Sequence, residues 1–304
     1  MGVGRSGAFI AVLCLAAGAP LWPAGASAPG PGGGDLDAVK ASGVLRHLGV
    51  PYARFVSGGG EGFDVEMMRA FAAHLGVRYA FVETTWTGAL GDLTGRKVSA
   101  KEPDPSRAAP TPIRGDVLAT GLTVIAWRKR SVEFSRPTFP TQVWVVAPRD
   151  SPVKPIVPAG DVEKDIAEVK RRLAGKRVLG VPNTCLDPGL YAIDAAGAQA
   201  VRMDTTRLDE VAPALLRGEG DLALLDVADA DLAFERWPGR FTVVGPVSPV
   251  QEMAAAFRKD SPELRKAFDV FLASARQDGT YDRLLSRYFP RAGSYFPGYF
   301  AGPR

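Results

Sequence analysis

The chain has 304 residues, of which 46% are hydrophobic and 23% charged. That is enough to bury a full core divided between two lobes, and it excludes a disordered or fibrous protein. The formal net charge is +4, but the basic residues are scattered and no aromatic-interleaved basic stripe occurs, which excludes nucleic acid as a partner and leaves a small anionic ligand or a negatively charged envelope surface.

Residues 1–26 read as an export signal. Arg5 supplies the positive start, Ala8 to Leu21 an uncharged apolar stretch, and Ala24-Gly25-Ala26 a small-residue cleavage site. The apolar stretch, about 14 residues interrupted by Gly18 and Pro20, falls short of the ~20 a spanning helix needs. A periplasmic location follows. Cys14 lies inside the signal, and Ala11-Val12-Leu13 lacks the small residue that precedes a lipid-modified cysteine. Cys185 is then alone in the mature chain, so neither a disulfide framework nor a cysteine metal site is expected, and no cofactor. Of the two histidines, His74 falls near the C-terminus of a helical pattern, where a surface cation is favourable.

A Gly-, Pro- and Ala-rich flexible leader is expected over 27–38, with the fold starting near Val39. Val44 to Val50 predicts a strand. After the glycines of 58–62, Val65, Met68, Phe71, Ala72 and Leu75 keep helical spacing, with Asp64 as N-cap and Gly76 as stop; Val77 to Val82 predicts a second strand. A strand, helix, strand unit favours a parallel sheet. Between Gly95 and Gly115 a polar, proline-rich loop is inserted as a surface excursion.

A shared pattern then recurs, a glycine turn followed by a short strand that starts with Asp: Gly115-Asp116-Val117-Leu118 and Gly220-Asp221-Leu222-Ala223. The matching units imply two similar α/β lobes. The boundaries predicted are lobe one at 39–146, lobe two at 147–241, a return to lobe one at 242–290 and an extension at 291–304. Ser261-Pro262-Glu263 starts a closing helix that ends at Gly279, and a last helix carries Tyr281, Leu284, Leu285 and Tyr288 as core residues.

The strand after Asp116 runs into Gly121-Leu122-Thr123 and then Arg128. A planar guanidinium beyond small hydrogen-bonding residues suits a carboxylate, which it can hold through two parallel bonds. Asp226 ends the matching strand of the other lobe. Ligands in open α/β sheets bind beyond the C-terminal ends of strands, so Thr123, Arg128 and Asp226 stand where a site belongs.

The order of these parts resembles the family of bacterial periplasmic solute-binding proteins of polar amino acid ABC transporters, family 3. The resemblance covers residues 43–290 and rests on Gly62-Phe63-Asp64-Val65, the segment from Gly121 to Ser135, Gly175-Lys176-Arg177-Val178-Leu179-Gly180-Val181, the strand from Asp221 to Asp226, and Asp278-Gly279-Thr280-Tyr281-Asp282. It implies a type II periplasmic-binding fold: two α/β lobes joined by two hinge strands, closing on a ligand. It further implies that Arg128 holds the ligand α-carboxylate, that Gly121 and Thr123 hydrogen-bond its polar atoms, and that Asp226 accepts from its α-ammonium. Tyr52 and Trp86 match aromatics that sandwich the side chain, and Thr184 matches a lobe-two turn that grips the carboxylate. An amino acid or similar small carboxylate, a permease partner, a monomeric state and no enzymatic activity are the corresponding expectations.

Ile125 departs from a position that is commonly Thr, Val50 stands near a missing Asp, and Asn183-Thr184-Cys185 lacks the usual Gly-Ser or Gly-Thr turn. Each departure removes a polar partner, which implies a ligand less polar than glutamine or arginine, or one that is not an amino acid. Leu118 to Thr123 and Tyr295-Phe296-Pro297-Gly298-Tyr299-Phe300 also look like the solute-binding-like domain of membrane-bound lytic murein transglycosylases. In those a lysozyme-like catalytic domain follows, whereas this sequence stops at Arg304. The alternatives to transport are an envelope sensor of peptidoglycan fragments and a cyclic-acid dehydratase, which would need a cleft acid or base.

Overall fold

The computed structural model describes Met1 and residues 35–57, 60–205 and 207–300. Apart from Met1, the expected signal at 1–26, the leader up to Gly34 and the last four residues lie outside the described residues. Helix α1 (Asp35–Ser42) leads into β1 (Val44–Gly49), α2 (Phe63–Leu75) and β2 (Arg78–Glu83). Then come α3 (Ala89–Thr94), β3 (Val117–Leu118), α4 (Ala126–Lys129), β4 (Glu133–Phe134) and β5 (Phe139–Thr141). The second half runs through β6 (Val143–Pro148), α5 (Val162–Arg171), β7 (Arg177–Gly180), β8 (Gln199–Arg202), α6 (Val211–Leu216), β9 (Leu222–Asp226), α7 (Val227–Arg236) and β10 (Phe241–Pro246). The chain returns by β11 (Gln251–Met253) and β12 (Ala256–Phe257), and closes with α8 (Pro262–Gln277), α9 (Thr280–Tyr288), α10 (Ala292–Tyr295) and α11 (Pro297–Phe300).

Two five-stranded sheets result, ordered β2-β1-β3-β12-β4 and β10-β6-β9-β7-β8. In each, four strands run one way and one runs against them, β12 in the first sheet and β6 in the second. The repeated Gly-Asp pattern has the same work in both. Asp116 accepts from the Arg46 backbone at 2.9 Å and pairs with its guanidinium at 2.6 Å. Asp221 does the same for Arg177, at 2.8 and 2.9 Å. A Cβ on Gly115 would stand 2.3 Å from Leu48 and one on Gly220 would stand 2.6 Å from Leu179, so both close approaches require glycine.

The lobe boundaries shift from those expected. Trp144 to Val146, assigned to lobe one, belong to β6, and Thr242 to Pro246, assigned to the return, belong to β10; both strands lie in the second sheet. The two passages between sheets fall after β5 and after β10. They run side by side, with β6 paired to β10, β5 to β11, and the Val247 N–H on the Val143 carbonyl between them.

The leader also ends earlier than expected, since α1 starts at Asp35. Its carboxylate receives the Glu263 and Leu264 N–H groups at 3.2 and 2.9 Å, capping α8 in place of Ser261, whose own hydroxyl has no partner among the described residues. Asp64 is not the N-cap of α2. Gly62 occupies that place, and the buried Asp64 carboxylate accepts the Gly121 N–H at 2.6 Å.

Burial without a counter-charge pushes the Asp64 carboxyl up to about 7, the Gly121 bond offsetting only part. The buried His47, bonded to Tyr79 at 2.8 Å and to the Ala119 carbonyl at 2.7 Å, is pulled down to about 4 by burial, with Arg69 adding to it. The signs oppose. Asp64 binds its proton more tightly when folded, so its contribution is full below pH 4 and is lost as pH rises to about 7; His47 contributes fully above pH 6.5 and loses that as pH falls to about 4. Asp64→Asn keeps an acceptor for Gly121 and leaves His47 unopposed. Urea unfolding should show the variant gaining on wild type by on the order of 4 kcal/mol between pH 4 and 7.5; parallel pH profiles would contradict this.

The C-terminal segment packs back across the molecule. Arg291 and Tyr295 both reach Asp231 Oδ1, at 2.8 and 2.7 Å, while Arg54 from the turn after β1 reaches Asp231 Oδ2 at 3.1 Å. Glu235 pairs with both arginines. One buried carboxylate on α7 thus ties the first lobe's turn and the tail to the second lobe. Asp231→Ala should lower stability by about 2 kcal/mol, read as an earlier urea midpoint, with an unchanged midpoint showing the network to be dispensable.

Candidate functional site

All seven expected site residues follow C-terminal strand ends. Tyr52 comes after β1, Trp86 after β2, Gly121, Thr123 and Arg128 after β3, Thr184 after β7, and Asp226 ends β9 while capping α7 through the Asp229 N–H at 3.0 Å. The Tyr52 turn is fixed to the end of β3 by Thr120, whose hydroxyl donates to the Val50 carbonyl at 2.6 Å and accepts its N–H at 3.2 Å.

Four of the seven converge. The Tyr52 hydroxyl donates to Asp226 Oδ2, joining the two lobes through one buried bond. Trp86 stands edge-on to the Tyr52 ring at 5.4 Å. The Arg128 guanidinium lies 5.9 Å from the Trp86 ring and 5.4 Å from Trp127, and is only 2% exposed. Its bond within the protein runs from Nη1 to the Thr123 carbonyl at 2.9 Å, and among the described residues it has no ion-pair partner. Burial accordingly lowers its pKa. Trp86 Nε1, beside Arg128, is buried and unpartnered among the described residues, and the Thr123 hydroxyl has the weakly accepting Cys185 thiol for company, so a donor next to Arg128 awaits an acceptor.

Thr123 stands beside these four, while Gly121 and Thr184 are engaged elsewhere. The Gly121 N–H belongs to Asp64, and φ of +58° with Phe55 only 2.4 Å from a would-be Cβ makes this glycine a packing requirement. The Thr184 hydroxyl donates to the Val181 carbonyl at 2.7 Å and accepts the Leu186 N–H at 3.0 Å, closing its own turn. These polar groups satisfy the fold. Nor does Asp226 face Arg128 as an ion-pair partner.

Cys185, Tyr191 and Asp229 are site residues that sequence reasoning missed. The Cys185 thiol approaches Asp226 Oδ2 at 3.8 Å, and the Tyr191 hydroxyl donates to the Cys185 carbonyl at 2.5 Å. Burial raises the thiol's pKa, so it stays protonated. Asp229 Oδ2 is buried with no partner among the described residues, and burial beside Asp226 holds this carboxyl far above the usual range. Its place three residues after the cap Asp226 was the one signal available. A cavity of about 610 Å³ is bordered by Tyr52, Val50, Glu83, Leu208, Asp229 and Trp237 and does not reach Trp86, Arg128 or Asp226. Among the described residues no group of three or more His, Cys, Asp and Glu could hold a metal ion.

Residues 49–291 match the family model of bacterial extracellular solute-binding proteins, family 3. The lysine/arginine/ornithine-binding periplasmic protein of Escherichia coli K12 is 26% identical over 245 residues, 75% of this chain and 78% of that one. The membrane-bound lytic murein transglycosylase F of Desulfosudis oleivorans is 24% identical over 236 residues, 77% of this chain but only 45% of the enzyme. Among solved structures, the P235GK mutant of ArgBP from T. maritima superposes with a TM-score of 0.64 at 25% identity, covering 84% of this chain and 99% of that one.

Proposed function

From the premise that the chain belongs to the bacterial extracellular solute-binding proteins, family 3, we propose that it captures an amino acid or similar small carboxylate between its lobes, in the periplasm, and hands it to an ABC transporter permease. The observation that carries this reading is Arg128. A guanidinium removed from water with one carbonyl as protein acceptor is costly, and a ligand carboxylate would satisfy it bidentately. Trp86 Nε1 and Thr123 Oγ1 supply two further contacts. The Tyr52–Asp226 bond gives the closed form a contact that the open form lacks, so a ligand bound beside it favours closure through differential affinity. Binding without turnover is the activity proposed.

A thermal-shift screen of L-amino acids and their carboxylate analogues tests it. A ligand at 100 times its Kd should add about 2.7 kcal/mol to stability and raise Tm accordingly. A screen in which no carboxylate raises Tm, or in which the best one stabilises Arg128→Met equally, defeats the reading.

A further inference from the structure

Asp226 and Arg128 differ in what each still lacks. A carboxylate offers about four lone-pair positions. Asp226 receives the Asp229 N–H at 3.0 Å, the Tyr52 hydroxyl and the Cys185 thiol at 3.8 Å, and the Ala228 N–H also faces it. It is fully buried. The protein itself therefore fills the seat that an ammonium would need, and two of the donors filling it, Tyr52 and Cys185, are side chains from opposite lobes. Arg128, by contrast, has one acceptor among the described residues, and Trp86 Nε1, unpartnered among them, lies on its side of the site.

We infer that the site selects a carboxylate whose α-carbon bears no ammonium, a 2-oxo, 2-hydroxy or unsubstituted acid, because Tyr52 and Cys185 already occupy Asp226 while Arg128 awaits an anion. The inference rests on the proposed binding at Arg128 and narrows its ligand. An α-amino acid would have to evict the Tyr52 hydroxyl, breaking the bond between the lobes, or turn its ammonium to Asp229 Oδ2, unpartnered among the described residues but part of a carboxyl that burial beside Asp226 keeps protonated and so no counter-charge. Each course loses a hydrogen bond to a charged group. A neutral oxo or hydroxy substituent needs no anion and leaves Asp226 undisturbed. Ile125, 7% exposed just before α4, adds no polar group that could take the ammonium instead.

Calorimetry on matched pairs tests this: L-phenylalanine with phenylpyruvate and phenyllactate, L-leucine with 4-methyl-2-oxopentanoate, and L-glutamate with 2-oxoglutarate. In wild type the oxo or hydroxy member of the binding pair should be at least about tenfold tighter. Tyr52→Phe frees a lone pair on Asp226, so the ratio should shrink or reverse; Cys185→Ala frees the other and should act in the same direction if the phenylalanine variant misfolds. An amino acid that binds as tightly as its deaminated partner overturns the inference and leaves the proposed function standing, provided Arg128→Met abolishes its binding. Binding that ignores Arg128→Met overturns the proposed function first, and absence of binding for every pair overturns both.

Discussion

Arg128→Ala is expected to weaken binding of the carboxylate ligand by about 10²–10³-fold while leaving the protein folded. The guanidinium is buried, its pKa is depressed by that burial, and among the described residues only the Thr123 carbonyl answers it. A ligand carboxylate arriving there gains two charge-assisted bonds in a water-poor site, and removing one partner of such a buried pair costs about 3–5 kcal/mol. Arg128→Lys keeps the charge without the planar fork and should fall between the two. Without ligand the variants should not lose much stability, since an unpaired buried cation contributes little to folding. Arg128→Met, which preserves the packing against Trp86 and Trp127, separates charge from shape. Isothermal titration of the three variants with the best ligand of the thermal screen decides the matter: a Met variant that binds within threefold of wild type would remove Arg128 from the site.

The largest effect on stability is expected at Phe55. Its ring is fully buried and stands 4.6 Å from Phe289, 5.2 Å from Phe139, 5.7 Å from Tyr52 and 6.2 Å from Phe63. It also fills the space a side chain at Gly121 would take. Truncation to alanine should cost about 3–5 kcal/mol, the transfer energy of the ring plus the cavity left among aromatics that cannot all collapse inward. In a domain of this size that lowers Tm by roughly 10 °C. Ligand affinity should fall as well, because Phe55 stacks on Tyr52 and sets the turn that presents its hydroxyl. Calorimetric unfolding measures the first effect and titration the second. A Tm within about 3 °C of wild type would mean that the cluster repacks and that Phe55 does not position Tyr52.

These expectations draw unequally on what could be read in advance. The helix over Val65 to Leu75 and its stop at Gly76 were legible, because an apolar stripe of period 3.6 and a terminal glycine are local features. The Gly-Asp repeat was legible as a pattern, but its reason was not: Asp116 and Asp221 each hold an arginine on the neighbouring strand, 70 and 44 residues away in the chain. Asp64 shows the limit most clearly. Its position before a helix stripe looks like a cap, yet its carboxylate is spent on Gly121, 57 residues on.

At the site the same division holds. The resemblance singled out Tyr52, Trp86, Thr123, Arg128 and Asp226, and the structure brings four of these side chains, with the Thr123 hydroxyl beside them, to one place. It could not reveal that Gly121 and Thr184 are committed to the fold, nor that Cys185 joins Tyr52 on Asp226. By itself, then, the sequence determined the elements, the twofold repetition and the residue types at the strand ends, because periodicity, glycine turns and strand-end placement act over a few residues. The tertiary structure alone decided which polar groups remain unsatisfied after folding. Hydrogen-bond capacity is consumed by partners distant in the chain, and what a site still seeks from a ligand is the remainder.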